Sequence, residues 1–209
     1  NEFIEAIKLA SGIQIDALSD KETIVAGEDF LTTVKVFFPG SENIKVKEID
    51  LSGSGWQVSK TDAPKDENQN VFRREIGNEN AYFKVTISKD SKPTQPFWLK
   101  NEREGALFSP AKTDNQTLPF DYQPISAKVK MEIFGQEIMI SQPVEYRFAD
   151  DIRGEVRREL NVVPAVSISL DQNLLIVPKS DKPQTKKIVM SITNNSENPV
   201  EGEASLNSG

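Results

Sequence analysis

The stretch Ile125-Ser-Ala-Lys-Val-Lys-Met-Glu-Ile-Phe134-Gly-Gln-Glu-Ile-Met-Ile-Ser-Gln-Pro-Val-Glu-Tyr-Arg-Phe148 decides the fold class. Ile125, Ala127, Val129, Met131 and Ile133 alternate with polar residues, and Ile138, Ile140, Val144, Tyr146 and Phe148 share a second face. A repeat of two is the signature of half-buried β-strands. Between them, Gly135-Gln136 reads as a two-residue connection with glycine first, as a type II′ turn requires. With Phe134 opposite Glu137, Ile133 faces Ile138, Met131 faces Ile140 and Ala127 faces Val144. All the apolar residues then lie on one side, and a one-residue slip would mix the faces.

The same period extends outward along the chain. Ile13 and Ile15 alternate with Gln14 and Asp16. Phe30, Thr32, Val34, Val36 and Phe38 form one face of a strand, as do Ala81, Phe83, Val85 and Ile87. β-Branched and aromatic residues dominate these runs, and Gly, Pro, Asn and Ser punctuate them. In Ile44–Leu51 the phase slips between Val46 and Ile49, which predicts a β-bulge near Lys47-Glu48. Residues 1–12 are the exception. Phe3, Ile4, Ile7 and Ala10 recur at helical spacing, and Gly12 stands where a left-handed C-terminal cap would. This helix reads as a linker to a preceding domain or as a cap on one end of a sandwich. Thr61–Asn70 and Asn101–Pro124 read as long loops.

The expected fold is all-β: an immunoglobulin-like antiparallel sandwich over residues 13–160, preceded by the 1–12 helix. A boundary falls near Leu160–Pro164. Val166–Leu170, Leu174–Val177, Lys187–Thr193 and Val200–Leu206 then read as fresh strands, so 161–209 is expected to begin a second, truncated sandwich. Placing these strands in the first sandwich is the alternative. Asn195-Ser-Glu-Asn198 echoes Gly40-Ser-Glu-Asn43 in three of four letters, a hint of a repeated plan.

Composition excludes several chemistries. Of 209 residues, 25 are Lys or Arg and 32 are Asp or Glu, for a net charge of −7, which opposes binding to nucleic acid or an anionic membrane surface. No stretch reaches the ~18 apolar residues of a membrane helix, so no membrane insertion is expected. The chain contains neither Cys nor His. It therefore lacks a thiolate nucleophile, the usual general base and the usual transition-metal ligands. It opens on Asn1 without a Met or a signal-like run, and is expected to be a piece of a longer polypeptide.

Motifs that might carry chemistry are weak. Ser109-Pro-Ala-Lys112 matches S-x-x-K, but no helical pattern surrounds it and the following Lys112-Thr-Asp lacks the K-T-G glycine. Asp150-Asp151 is an adjacent pair whose side chains would diverge on a strand, and a turn role fits it better. Asp62, Asp66 and Glu67 do not follow calcium-loop spacing. Gly53-Ser54-Gly55 lacks the third glycine and helix of a phosphate-binding turn. Trp56, Phe97 and Trp98 are the candidates for stacking on a sugar ring, weighed against core packing. Arg153, Glu155, Arg157, Arg158 and Glu159 interleave opposite charges and are expected to stiffen an interdomain junction.

Several segments resemble one family. Val25-Ala-Gly-Glu-Asp-Phe30, Lys92-Pro-Thr-Gln-Pro-Phe-Trp-Leu99, Glu104-Gly-Ala-Leu-Phe108 and above all the run from Val144 to Leu170 resemble the β-rich region that follows the catalytic domain in large bacterial deacetylases of the PIG-L (LmbE-like) family. The similarity spans most of the chain and consists of packing and turn motifs. In that family a Rossmann-like domain holds Zn²⁺ through a His-Pro-Asp-Asp motif and a later His, and deacetylates N-acetylglucosamine-type sugars. A chain without His cannot build that site. The resemblance implies a non-catalytic accessory module without a cofactor of its own, in a protein exported to the periplasm or beyond. Its partners would be other domains of the same polypeptide. The alternative it leaves open is a carbohydrate-binding module.

Overall fold

The computed structural model describes residues 2–40, 42–53, 55–63, 78–108, 124–172, 174–179 and 181–205. Among these residues a helix α1 (Glu2–Ala10) precedes thirteen strands: β1 (Gln14–Ser19), β2 (Thr23–Val25), β3 (Asp29–Phe37), β4 (Ile44–Gly53), β5 (Gln57–Thr61), β6 (Glu79–Thr86), β7 (Ile125–Ile133), β8 (Gln136–Pro143), β9 (Glu145–Asp150), β10 (Gly154–Glu159), β11 (Asn161–Val163), β12 (Val166–Leu170) and β13 (Met190–Asn194). A six-stranded sheet of order β10-β9-β1-β3-β6-β5 packs on a three-stranded sheet of order β4-β7-β8. Two small sheets, β11-β2 and β12-β13, complete the fold. The architecture is the expected all-β sandwich.

The core is what period two requires. Phe30, Val34 and Val36 from β3, and Phe83 and Val85 from β6, meet Ile125, Val129 and Met131 from β7 and Ile140 from β8 in one cluster. Burying side chains of this size contributes ~1.5–3 kcal/mol each and holds the two sheets together. In β4 the register shifts between Val46, opposite Met131, and Glu48, opposite Lys130. Lys47 is the extra residue, at the place where the hydrophobic phase slipped.

α1 ends in a Schellman motif. Gly12 sits at φ +66°, the Ile13 N–H donates to the Lys8 carbonyl at 3.0 Å and the Gly12 N–H donates to the Leu9 carbonyl at 3.2 Å. Ile4 and Ile7 pack on the core, whereas Phe3 and Ala10 are exposed. The helix is a cap on the sandwich.

The decisive hairpin departs from expectation in two ways. Its loop is Phe134-Gly135, not Gly135-Gln136, with φ of +48° and +78°, the left-handed pair of a type I′ turn. Ile133 consequently faces Gln136, Met131 faces Ile138 and Val129 faces Ile140. The offset from the expected register is two residues, so every side chain keeps its face. The Phe134 N–H donates to the Asn43 carbonyl at 2.8 Å, which extends the pairing with β4 through the turn and holds Phe134 in this conformation.

The second departure is at Pro143-Val144. The expected continuous strand breaks there, Ala127 faces Gln142, and β9 crosses into the six-stranded sheet. Pro143 has no N–H to continue the ladder, and fully buried Val144 donates its N–H to the Ile125 carbonyl at 3.2 Å as the chain changes layer. β9 then runs parallel to β1, and β11 runs parallel to β2, so pairing is not wholly antiparallel.

The pairing of the first sandwich runs on to Val163, three residues beyond 160. After Pro164 the chain forms the β12–β13 hairpin, with Ile168 opposite Ile192 and Leu170 opposite Met190. The strand expected at Lys187–Thr193 is this β13. Residues 174–177 and 200–205, expected as strands, have no ladder partner, and Leu206 lies outside the described residues.

Phe134, 71% exposed and left-handed, is a poor residue for its turn position. Phe134→Asn is expected to raise stability by about 0.5–1 kcal/mol, because Asn tolerates the left-handed region that costs other L-residues about 1–2 kcal/mol. A higher urea midpoint at unchanged m-value would register the gain, and a lower midpoint would refute it.

Candidate functional site

β1 is buried on both faces from Ile15 to Ser19: Ile15 and Ala17 join the core cluster, and between them Asp16 points to the other face. It is 1% exposed. Two arginines from β9 and β10 lie over it. Arg147 (β9) places Nη1 2.8 Å from Asp16 Oδ2, and Arg157 (β10) places Nη2 2.9 Å from Asp16 Oδ1. Each carboxylate oxygen therefore has its own guanidinium. Glu155 holds the other side, 2.7 Å from Arg157 Nε and 3.5 Å from Arg147 Nη1, and Glu145 stands 3.6 Å from Arg157 Nη1. Lys35, opposite Asp16 on β3, is buried beside this group. Burial opposes the charge on Arg157, but hydrogen bonds to Asp16 and Glu155 outweigh it and raise its pKa above the ordinary value.

Within the arginine–glutamate run Arg157 is half-buried against Asp16, while Arg153, Glu155, Arg158 and Glu159 are exposed. Arg158 pairs with Glu22 and lies 4.9 Å over the Phe148 ring. Arg153 is 3.5 Å from Asp150, whose Oδ1 accepts the N–H groups of Ile152 and Arg153. That is the turn role read for Asp150, while the Asp151 side chain is exposed. The carbonyl of Glu159, another exposed residue, accepts from the Asn161 amide. Among the described residues, Lys21 and Glu28 bond to the loop that follows β13. Nothing in the charge pattern of those two isolated residues signals this.

The aromatic candidates separate. Trp56 packs edge-on against Phe30 at 6.1 Å, donates Nε1–H to Ser91 Oγ at 3.0 Å and lies half-buried against the core. Phe97 and Trp98 sit in a single 3₁₀ turn (Phe97–Leu99), with rings 5.1 Å apart and 84° from parallel. The three rings do not form one stacking plane. Ser109, Lys112, Asp66, Glu67 and Ser54 lie outside the described residues. Asp62 is exposed, and no group of three or more Asp or Glu side chains placed to share a metal ion occurs among the described residues.

A groove that the sequence reading did not pick out opens beside the bulge in β4. It measures about 740 Å³, between β4 and the β5–β6 end of the larger sheet, with Lys130 and Glu137 at its rim. Lys47, Lys60 and Lys130 are balanced by Glu48, Glu79 and Glu137. Lys130 pairs with Glu137 at 2.8 Å, Lys47 with Glu132 at 2.7 Å and Lys60 with Asp50 at 3.3 Å. A lining of balanced sign has no net field with which to gather an ion. The phase slip at Lys47 was the signal that could have located it.

With this geometry in view, no protein-family model, curated protein or solved structure matches the chain.

Two predictions follow from the charges. Arg147→Ala removes the guanidinium on Asp16 Oδ2 and leaves that buried carboxylate under-compensated, and is expected to destabilise the fold by about 3–5 kcal/mol. Adding Asp16→Ala to it should cost much less than the sum of the single changes, a non-additivity that a double-mutant cycle in urea would measure. Additive losses would mean that the pair is not coupled. Stability should also fall in acid. The Lys84 hydrogen bond holds Asp29 below the ordinary carboxylate range, Lys47 does the same for Glu132, and the Arg153 N–H does so for Asp150. A depressed folded value means that the unfolded chain takes up protons first. The stabilisation is thus complete above the unfolded carboxylate pKa of about 4 and is lost as pH falls through the folded values. Urea midpoints measured from pH 6 to pH 2 should decline on that schedule.

Proposed function

We propose that this chain is a non-catalytic structural module, a β-sandwich that holds and orients neighbouring parts of a larger polypeptide. The observation that carries the reading is the Asp16–Arg147–Arg157 group. The best-placed charged side chains of the sheet are spent on binding β1, β9 and β10 to one another, and a buried, mutually neutralised network suits rigidity rather than turnover. The contacts of Lys21 and Glu28 with Glu197 and Ser196 add to it by carrying the rigid framework into the next hairpin.

On the resemblance of Val144–Leu170, the larger polypeptide would be an exported bacterial protein of the PIG-L type. Its zinc-dependent domain would deacetylate N-acetylglucosamine-type sugars, and this chain would space or orient that domain. The stretch that carries the resemblance begins at the layer change and contains Arg147, Glu155 and Arg157, so it is the stretch that ties β9 and β10 to the sheet.

The purified chain, given Zn²⁺ and an N-acetylglucosamine oligomer, is expected to release no acetate, and affinity electrophoresis in soluble glycans should leave its mobility unchanged. Acetate release would overturn the reading. Retardation that Trp98→Ala abolishes would replace it with glycan anchoring.

A further inference from the structure

We propose that Glu28 is a positioning residue, a latch that fixes the angle at which the β12–β13 hairpin leaves the sandwich. The inference deepens the structural-module reading and rests on it.

The covalent path between the two parts is short. Val163 pairs with Val25, and Val162 exchanges hydrogen bonds with Thr94, donating to its Oγ1 at 3.0 Å and accepting from its N–H at 2.8 Å. The chain is thus anchored up to Val163, and Pro164-Ala165 is the only stretch before β12 begins at Val166. A single covalent crossing leaves rotation about that crossing open. A second attachment, away from the first, removes it.

Glu28 supplies that attachment. Its backbone is held on both sides: the N–H donates to the Val25 carbonyl at 3.1 Å, and its carbonyl accepts the Ile87 N–H at 3.0 Å. Gly27, at φ +87°, makes the turn that presents it. Oε1 then accepts two hydrogen bonds from the far unit, from Ser196 Oγ at 2.6 Å and from the Glu197 N–H at 3.0 Å. Lys21 Nζ stands 2.7 Å from Glu197 Oε1 and donates to the Asp29 carbonyl at 2.7 Å, so it bridges the same joint.

The receiving loop is built to be held. Ser196 N–H donates to Asn194 Oδ1 at 3.0 Å, Asn198 N–H donates to Ser196 Oγ at 3.1 Å, and Asn194 Nδ2 donates to the Asn198 carbonyl at 2.9 Å. Ser196 Oγ therefore accepts from its own loop while donating to Glu28. Asn195 closes the circuit onto the linker, donating Nδ2–H to the Pro164 carbonyl at 2.9 Å and N–H to the Ala165 carbonyl at 2.9 Å. Latch and linker are thus one hydrogen-bonded unit. The hairpin's apolar face of Ile168, Leu170, Met190 and Ile192 is consequently presented in one direction.

The absence of cysteine from the chain makes the test direct. Spin labels at Asp151→Cys, on the β9–β10 turn, and Ser169→Cys, on the polar face of β12, report the angle as a distance distribution by pulsed electron resonance. The doubly labelled chain is expected to give one narrow distribution. Glu28→Ala should broaden it, and Ser196→Ala should do the same from the other side. The thermal midpoint of the sandwich should hold in both, because Glu28 is half-buried and outside the core. Amides of β12 and β13 should exchange on the order of tenfold faster in Glu28→Ala, the scale of losing a charged hydrogen bond. A broad distribution in the unmutated chain, or an unchanged narrow one in both variants, overturns the latch. Neither result touches the structural-module reading, which fails on acetate release or glycan retardation.

Discussion

Asp16 sets the terms for one half of the larger sheet. A carboxylate withdrawn from water costs several kcal/mol unless opposite charge and hydrogen bonds meet it, and here both come from strands that arrive about 130 residues later. β9 touches β1 through only two residue pairs, Leu18 with Glu145 and Ser19 with Tyr146. So short a parallel ladder is a weak attachment for a strand that has just crossed from the other layer. Arg147 and Arg157 supply the rest by closing on the two oxygens of Asp16. The charge on β1 and the layer change at Val144 therefore depend on each other: β9 must lie beside β1 to neutralise Asp16, and Asp16 gives β9 a reason to stay.

The same logic extends across the outer face of this sheet. Glu155 and Glu145 complete the arginine pairing, and Arg158 divides its interactions between Glu22 and the Phe148 ring. Charges committed in this way stiffen a framework. At the opposite end of the sheet the charges are arranged differently, around the groove beside the bulge, where lysines and glutamates alternate across strand edges. Lys60 and Lys47 sit at edges that would otherwise offer unpaired backbone to another chain, and edge lysines of this kind discourage such pairing.

Reading the residues alone located the strands whose two faces differ, because burial imposes alternation locally. β3, β6 and β7 are visible in this way, as is the bulge at Lys47, since one extra residue reverses the phase. The Phe134-Gly135 turn was misplaced by a residue because glycine-first turns are the usual guess, and the Asn43 carbonyl that holds Phe134 belongs to another strand. Trp56 is half-buried, packed edge-on to Phe30. The inward pairing of Arg157 depends on Asp16, far away in the chain. The Glu28 contact had no local signal at all, since a single glutamate after a glycine looks like any solvated turn.

Composition and periodicity by themselves determined that this chain is layered β-structure preceded by one short helix, with neither thiol nor imidazole for chemistry. Both follow from residue identity and from the two-residue repeat that a half-buried strand imposes. Only the tertiary structure decided that the strand after Pro143 changes sheets, that Asp16 is buried under two arginines, and that residues 161–163 belong with β2. These are pairings between segments separated by about 130 to 140 residues, and which distant strand lies beside which is settled by the closure of the whole core, not by any local pattern.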